Sequence, residues 1–169
     1  MELHDVSTHS ITDAPPRRPL WLLVALVALG LGVGWLGSLV TVDQIPNWYA
    51  RLDKPAWTPP SWLFAPVWTT LYVLIGIAGW RVAPHSSPAH AAWGVWWAQM
   101  ALNAIWTPLF FGAHAVAASL IVITLMIATL AWFIRLTWTA DRLAAWLFVP
   151  YLAWVCYATS LNAGIWVMN

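Results

Sequence analysis

Residues 20–42 read LWLLVALVALGLGVGWLGSLVTV and contain no charged side chain. A helix of roughly 20 apolar residues crosses the hydrocarbon core of a bilayer, which is about 30 Å thick. The apolar core of a secretory signal peptide is shorter, at roughly 7 to 15 residues. The segment therefore predicts a transmembrane helix, and it places the chain among membrane proteins.

The composition indicates the same class for the whole chain. Of its 169 residues, 62% are hydrophobic and 8% are charged, whereas soluble domains carry about 25% charged residues. We predict an all-α integral membrane bundle of five transmembrane helices, forming one domain over residues 20–169. The predicted spans are residues 20–42, 62–82, 92–111, 115–136 and 143–168. Residues 1–19 mix charges with prolines and lack an apolar period, so we predict a disordered tail there.

Two connections constrain the arrangement of the spans. Residues 112–114 leave room only for a tight turn, so the third and fourth spans should form an antiparallel pair. Residues 43–61 contain four prolines, which remove backbone donors, and we expect no continuous helix there.

The basic residues near the span ends predict the orientation, because they concentrate on the cytoplasmic side of a membrane. Five lie on the side of the N-terminal tail and two on the other side: Arg17, Arg18, Arg81, Arg135 and Arg142 against Arg51 and Lys54. The N-terminus is thus predicted inside and the long loop outside.

Several classes of function lack their usual residues. A net charge of +1 provides no basic surface for nucleic acid. No predicted span contains an acidic residue, which argues against an ion-coupled pump, and no Walker, Rossmann or Gly-x-Ser-x-Gly pattern is present. The lone Cys156 and the scattered histidines predict no metal site, although one histidine remains available as an axial ligand to haem iron: His4, His9, His85, His90 or His114.

Tryptophan is the most distinctive residue type, with 16 copies. Seven lie near predicted span ends, where indoles anchor proteins at the membrane interface: Trp21, Trp62, Trp80, Trp93, Trp138, Trp146 and Trp166. Trp68, Trp106 and Trp154 lie deeper, where the indole N–H needs a polar partner or a cavity. These three either line a pocket or pack within the bundle.

The third span has a polar face. Gln99 and Asn103 are four residues apart and share one side of a helix, which Thr107 continues. An unpaired amide in hydrocarbon is costly, so this face must point into the bundle or into a wet cavity. It either forms interhelical hydrogen bonds or contributes polar groups to a binding site. Gly94 and Ala98 allow close helix contact, within the monomer or across a dimer.

The long loop carries the pattern WYARLDKPAWTPP at residues 48–60, followed by Trp68. It continues through NAIWTP at residues 103–108 and WLFVPYLAW at residues 146–154. In this order, the motifs resemble those of the tryptophan-rich sensory protein family, which includes the mitochondrial translocator protein, also called the peripheral benzodiazepine receptor. The resemblance covers roughly residues 48–162 and fits the five-helix layout of that family.

The resemblance implies a pocket beneath the long loop, with the loop as a lid. Its implied ligands are porphyrins such as protoporphyrin IX, haem, and benzodiazepine-type molecules, with no resident cofactor required. The implied lid residues are Trp48, Tyr49 and Trp57, and the implied pocket residues are Trp68, Gln99, Asn103, Trp106 and Trp154. Trp68 and Trp154 match tryptophans implicated in light- and oxygen-dependent porphyrin breakdown in some bacterial relatives. A homodimer is also implied.

We therefore interpret the chain as a membrane receptor or sensor that binds tetrapyrroles, with transport of them as an extension. Photo-oxidative porphyrin degradation by the pocket tryptophans, and a scaffold acting through protein partners, are the alternatives. The cholesterol-recognition segment of mitochondrial members has a basic residue after an aromatic one in the fifth helix. No Lys or Arg follows Tyr157, so we expect no sterol binding at that segment.

Overall fold

The computed structural model describes residues 18–84 and 89–169, with the side chains of residues 89 and 90 left out. It contains five long helices, as the sequence predicts: α1 (Leu20–Asn47), α2 (Phe64–Val82), α3 (Ala89–Thr107), α4 (Val116–Ala140) and α5 (Arg142–Met168). Short 3₁₀ turns occupy Tyr49–Arg51 and Ser61–Leu63, and a π turn, Pro108–Gly112, extends α3. The predicted tail falls almost wholly on residues 1–17, outside the described part of the chain.

Four of the described helices are long and apolar enough to cross a membrane: α1, α2 with its preceding turn, α4 and α5. The remaining helix, α3, carries Gln99 and Asn103 within 19 residues, and these amides lower its hydropathy. Both amide side chains are buried. Since its polar residues point into the protein, α3 needs fewer apolar residues than a helix that lipid surrounds.

The helices form a closed ring in the order α1, α2, α5, α4, α3, with α3 returning to α1. The short connection at residues 113–115 makes α3 and α4 the antiparallel pair that the sequence predicts. The core is fully buried around Ile75, Trp96, Leu130 and Phe148. By contrast, α1 buries only Leu26 and Gly30, so it is the helix least embedded in the bundle.

Two helices continue past the ends of their predicted spans. α1 continues to Asn47 instead of ending at 42, with Pro46 at its next-to-last position. A proline there removes only one hydrogen bond of the final turn, so the helix is not broken earlier. α4 continues to Ala140 instead of 136 because the hydroxyl of Thr137 donates to the carbonyl of Phe133, 2.8 Å away, and is thus satisfied within its own helix. The predicted polar link of residues 137–142 shrinks to Asp141.

Asp141 joins two helices at the end of the bundle where α1 begins, opposite the long loop. Its Oδ1 atom accepts hydrogen bonds from Nε of Arg81, at 2.9 Å, and from the backbone N–H of Ala144, at 3.0 Å. The second bond caps the N-terminus of α5, a position that favours Asp. One carboxylate therefore fixes the end of α2 against the start of α5.

Candidate functional site

A cavity of about 440 Å³ lies in the half of the bundle nearest the long loop. α1, α2, α5 and the end of α3 form its walls. Eight aromatic residues line it: Trp35, Tyr49, Phe64, Trp68, Tyr72, Trp106, Phe110 and Phe111. The volume falls within the range of roughly 300 to 1,000 Å³ that small-molecule pockets have.

Trp106 is held rigidly in the cavity wall. Its ring stacks on Phe110 in the π turn, with centroids 5.2 Å apart and an interplanar angle of 18°. Its Nε1 donates to Oδ1 of Asn162 on α5, at 3.2 Å. Ser119 donates to the same oxygen, and Nδ2 of Asn162 donates to the carbonyl of Val116, so the amide is satisfied on both sides. The wall is therefore preorganised by bonds among α3, α4 and α5.

A buried polar chain lies behind the cavity wall. The hydroxyl of Tyr72 donates to Oδ1 of Asn103, and Nδ2 of Asn103 donates to the hydroxyl of Tyr151, both at 2.7 Å. That hydroxyl in turn contacts Sδ of Met126 at 3.2 Å. The chain joins α2, α3, α5 and α4, and only Tyr72 reaches both it and the cavity lining.

Glycines bring α1 close to the opposite wall. A Cβ atom on Gly34 would lie 2.5 Å from Cε2 of Tyr72, and one on Gly30 would lie 3.1 Å from the Tyr72 carbonyl oxygen. Only glycine permits this approach without displacing the ring. The next residue, Trp35, lines the cavity and is 63% exposed, and Ser38, Ala65 and other exposed residues join it. The cavity therefore opens sideways between α1 and α2.

Tyr49 forms part of the roof of the cavity. It is 8% exposed and packs on Phe110 and Phe111, with centroids 6.4 and 5.7 Å away. Burial, with a smaller contribution from Tyr157, raises the pKa of its phenol above the ordinary value, so the hydroxyl stays neutral. The Lys54 ammonium lies 5.1 Å from the centre of this ring.

The loop of residues 48–63, here called the roof loop, is attached to α5 at three levels. Pro55 lies against Gly164, where any Cβ atom would overlap the proline ring. The hydroxyl of Tyr157 donates to the carbonyl of Trp57 at 2.6 Å, and the Trp57 indole N–H donates to Ser160 at 3.3 Å. Near the end of α5, the Asn169 amide exchanges two hydrogen bonds with the backbone of Asp53, at 3.1 and 3.0 Å.

The polar groups on the cavity lining are neutral. They belong to Ser38, Thr41, Ser61, Thr69, Thr107 and Asn162, beside the phenols of Tyr49 and Tyr72. No charged side chain is among the described lining residues. The site is thus suited to a flat, apolar molecule oriented by a few hydrogen bonds.

Known proteins are similar to this sequence over most of its length. The sequence model of the TspO/MBR family matches residues 24–167. The chain belongs to the TspO/MBR family. It is 40% identical over 125 residues to Protein CrtK of Rhodobacter capsulatus, covering 72% of this chain and 78% of that protein. It is 35% identical over 165 residues to the Translocator protein of Homo sapiens, covering 92% and 93%.

A third relative, the Tryptophan-rich sensory protein of Cereibacter sphaeroides, is 40% identical over 126 residues, covering 75% of this chain and 77% of that protein. The resemblance drawn from the loop motifs is thereby confirmed. With its apolar helices, this member of the TspO/MBR family is an integral membrane protein of a family whose members are named as sensors and translocators.

Within this TspO/MBR member, three of the predicted site residues meet at the cavity: Tyr49, Trp68 and Trp106. Trp68 packs between Tyr72 and Tyr151, with centroids 5.6 and 6.1 Å away. The cavity lining also includes residues that the sequence motifs do not predict, chiefly Tyr72, Phe110 and Asn162. Asn162 is recognisable in the sequence as a candidate, because it is an amide within a predicted apolar span.

The other predicted residues lie around the cavity. Trp48 stacks on His114, with centroids 4.2 Å apart, and Trp57 is bound to α5. Trp154 faces a shallow groove on the outer side of α2 and α5 and packs on Phe64, 5.8 Å away. Its indole nitrogen is buried and has no hydrogen-bond partner among the described residues.

The polar face of α3 is enclosed in protein. Asn103 forms the interhelical hydrogen bonds that one of the two interpretations of this face expected. Gln99 is 0% exposed, and neither its Oε1 nor its Nε2 has a partner in the described part of the chain. Neither amide is among the residues that line the cavity.

Proposed function

We propose that this chain is a membrane receptor or sensor that binds tetrapyrroles, such as protoporphyrin IX and haem, and related hydrophobic molecules. The single observation that carries the proposal is the aromatic cavity of about 440 Å³ between α1, α2, α3 and α5. Flat conjugated rings stack on indole and phenol rings, at about 0.5 to 1.5 kcal/mol per pair beyond the area that they bury. Transport of the bound ligand is an extension of the same proposal.

Within this proposal, Tyr49, Trp68 and Trp106 contact the ligand directly. Asn103 holds the wall from behind through its bonds to Tyr72 and Tyr151, while Gln99 and Trp154 lie outside the cavity lining and contact no ligand in it. The loop of residues 48–63, with Trp48 and Trp57, acts as a lid over the cavity. Support for the lid comes from Tyr49 and Ser61, which lie at the two ends of the loop and both line the cavity.

The test is quenching of tryptophan fluorescence by protoporphyrin IX in lipid nanodiscs. Saturable quenching is expected, with binding at least tenfold weaker in Trp68→Leu. Trp146→Leu removes an indole that is 53% exposed at the other end of the bundle, and it should bind like wild type. Unsaturable quenching, or equal affinity in the two variants, would contradict the proposal.

Photo-oxidative degradation of porphyrin by pocket indoles is the second candidate, and the place of Trp68 on the cavity wall favours it. Light-excited porphyrin passes energy to dissolved O₂, the excited O₂ adds to the porphyrin ring and opens it, and an adjacent indole holds the ring in place for this reaction. Illumination in air should yield a product with a new absorption band, and Trp68→Phe should abolish it. A product that forms at the wild-type rate in Trp68→Phe and in Trp154→Phe would exclude these residues. The scaffold alternative has less support, because it needs no cavity.

We further propose a homodimer and an orientation. Gly94 and Ala98 are exposed on α3, and a Cβ atom on Gly94 would meet nothing within 4 Å, which leaves a smooth surface for a second copy. Cross-linking in lipid should fall in Ala98→Leu if this surface is the interface. The count of basic residues supports an inside N-terminus and an outside loop. Thiol labelling of Ala50→Cys, at an exposed loop position, from one side of sealed vesicles in a Cys156→Ser background tests it.

A further inference from the structure

We propose that Arg51 binds the carboxylate group of the ligand that occupies the cavity, and so selects anionic over neutral tetrapyrroles. The inference rests on the proposed function and goes beyond it, because it assigns a residue to the charged edge of the ligand. It starts from a mismatch between the charge of protoporphyrin IX, which carries two propionates, and the neutral lining of the cavity.

The cavity cannot hold a carboxylate. No charged residue is among its described lining residues, and its polar groups are hydroxyls and one amide. Burying an ionised carboxylate without a cationic partner is very costly. A bound dicarboxylate must therefore keep its charged edge outside the aromatic walls, at the loop end of the bundle, where water and the lipid headgroups lie.

Two Lys or Arg side chains lie at that end in the described part of the chain, Arg51 and Lys54. Lys54 is already occupied. Its Nζ atom donates to the carbonyls of Tyr49, Ala50 and Leu52, at 2.9, 3.3 and 2.8 Å. An ammonium has three N–H donors, and these three carbonyls use all of them. Lys54 thus stabilises the loop and has no donor left for a ligand.

Arg51 differs from Lys54 in its position and in its exposure to solvent. It is exposed and ends the 3₁₀ turn Tyr49–Arg51, whose first residue lines the cavity. Two residues of 3₁₀ helix rise only about 4 Å along the axis, so Arg51 lies close to the cavity roof. No ion pair joins it to Asp43 or Asp53, the described acidic residues at this end.

A guanidinium suits this role better than an ammonium. Its planar fork of N–H donors matches the two oxygens of a carboxylate, and such bidentate pairs are stronger than neutral hydrogen bonds. An exposed pair is partly screened by water, so we expect an effect of about two- to fivefold in affinity. The effect should shrink as ionic strength rises.

The experiment compares two ligands in nanodiscs of zwitterionic phosphatidylcholine. One is protoporphyrin IX, and the other is its dimethyl ester, which has the same ring and no negative charge. Arg51→Gln should weaken binding of the acid about two- to fivefold and leave binding of the ester unchanged, whereas Arg51→Lys should retain part of the preference. Arg135→Gln, which removes an exposed charge near the opposite end, is the matched control and should change neither affinity.

The outcomes separate this inference from the proposed function. If the wild type binds both ligands but Arg51→Gln weakens both equally, or weakens neither, the cavity binds tetrapyrroles and Arg51 does not select them. If the wild type binds neither ligand saturably, the proposed function fails and this inference fails with it. A loss confined to the acid, and reduced at high salt, supports the inference.

Discussion

The hydroxyl of Tyr72 and Oδ1 of Asn103 are joined by a 2.7 Å hydrogen bond that connects α2 to α3 directly behind the cavity. Asn103 continues the connection to α5 through Tyr151. A ligand that presses on the ring of Tyr72 therefore acts on a side chain whose polar end is fixed in the core. This couples the shape of the cavity to the packing of the helices.

Removing the Asn103 amide should destabilise the bundle. Asn103→Ala leaves the Tyr72 hydroxyl without its acceptor and removes the N–H that the Tyr151 hydroxyl accepts, and an unsatisfied buried group costs about 1 to 3 kcal/mol. Thermal unfolding in detergent should show a clear fall in midpoint. Thr124→Ala is the control, because this exposed hydroxyl bonds only to its own helix and its loss should cost under about 0.5 kcal/mol. Equal midpoints in the two variants would contradict the role of the network.

Two glycines of α1 should respond oppositely to alanine. In Gly34→Ala the new methyl group meets the ring of Tyr72, so the ring or the helix must shift, at about 1 to 3 kcal/mol. Gly32→Ala places its methyl group in open space and should be neutral or stabilise the helix by up to about 1 kcal/mol. Ligand titration should show weaker binding only for Gly34→Ala. If Gly32→Ala also weakened binding, the loss in Gly34→Ala could not be attributed to the close approach of α1 to α2 at Gly34.

The contact between Pro55 and Gly164 should control the closure of the roof loop. Gly164→Ala introduces a Cβ atom that overlaps the proline ring, so the loop must lift from α5. Hydrogen exchange at residues 53–58 should then quicken severalfold while the core amides keep their protection. Gly94→Ala, at an exposed site with nothing within 4 Å, is the control and should leave the loop unchanged. An unaltered exchange rate in Gly164→Ala would show that the loop is held elsewhere.

Asp141 should contribute more as a helix cap than as an ion pair. Its pair with Arg81 is partly exposed, with side chains 29% and 17% accessible, so solvent reduces its value to about 0.5 kcal/mol. Asp141→Asn keeps a good cap and loses only the charge, whereas Asp141→Ala loses both and should cost about 1 to 2 kcal/mol. The unfolding midpoints of Asp141→Asn, Asp141→Ala and Arg81→Gln measure how much the helix cap and the ion pair each contribute to stability. If Asn costs as much as Ala, the charge dominates.

Much of the fold follows from local sequence. Long apolar runs separated by proline-rich or polar segments predict five helices, because backbone groups in lipid must be satisfied within each helix. The helix ends were less predictable. Thr137 looks like a polar linker residue, yet its hydroxyl bonds to Phe133 and lets α4 continue. Such bonds depend on the backbone that forms, which composition does not reveal.

The candidate site was only partly predictable. Helical spacing correctly puts Gln99 and Asn103 on one face, but it does not fix the rotation of α3 relative to its neighbours. The structure turns that face toward Tyr72 and Tyr151 and leaves Trp106, one turn further, on the cavity. Trp154 looks equivalent to Trp68 in the sequence, yet it faces the outer groove.

The sequence by itself determined the membrane class, the five helices and the family, because these depend on the length of apolar runs and on motifs contiguous in the chain. Only the tertiary structure decided which aromatic rings share a cavity, which amides form hydrogen bonds in the core, and that, among the described residues, Lys54 has side-chain partners while Arg51 has none. These properties arise from distances between helices far apart in sequence, and glycines such as Gly34 and Gly164 set those distances.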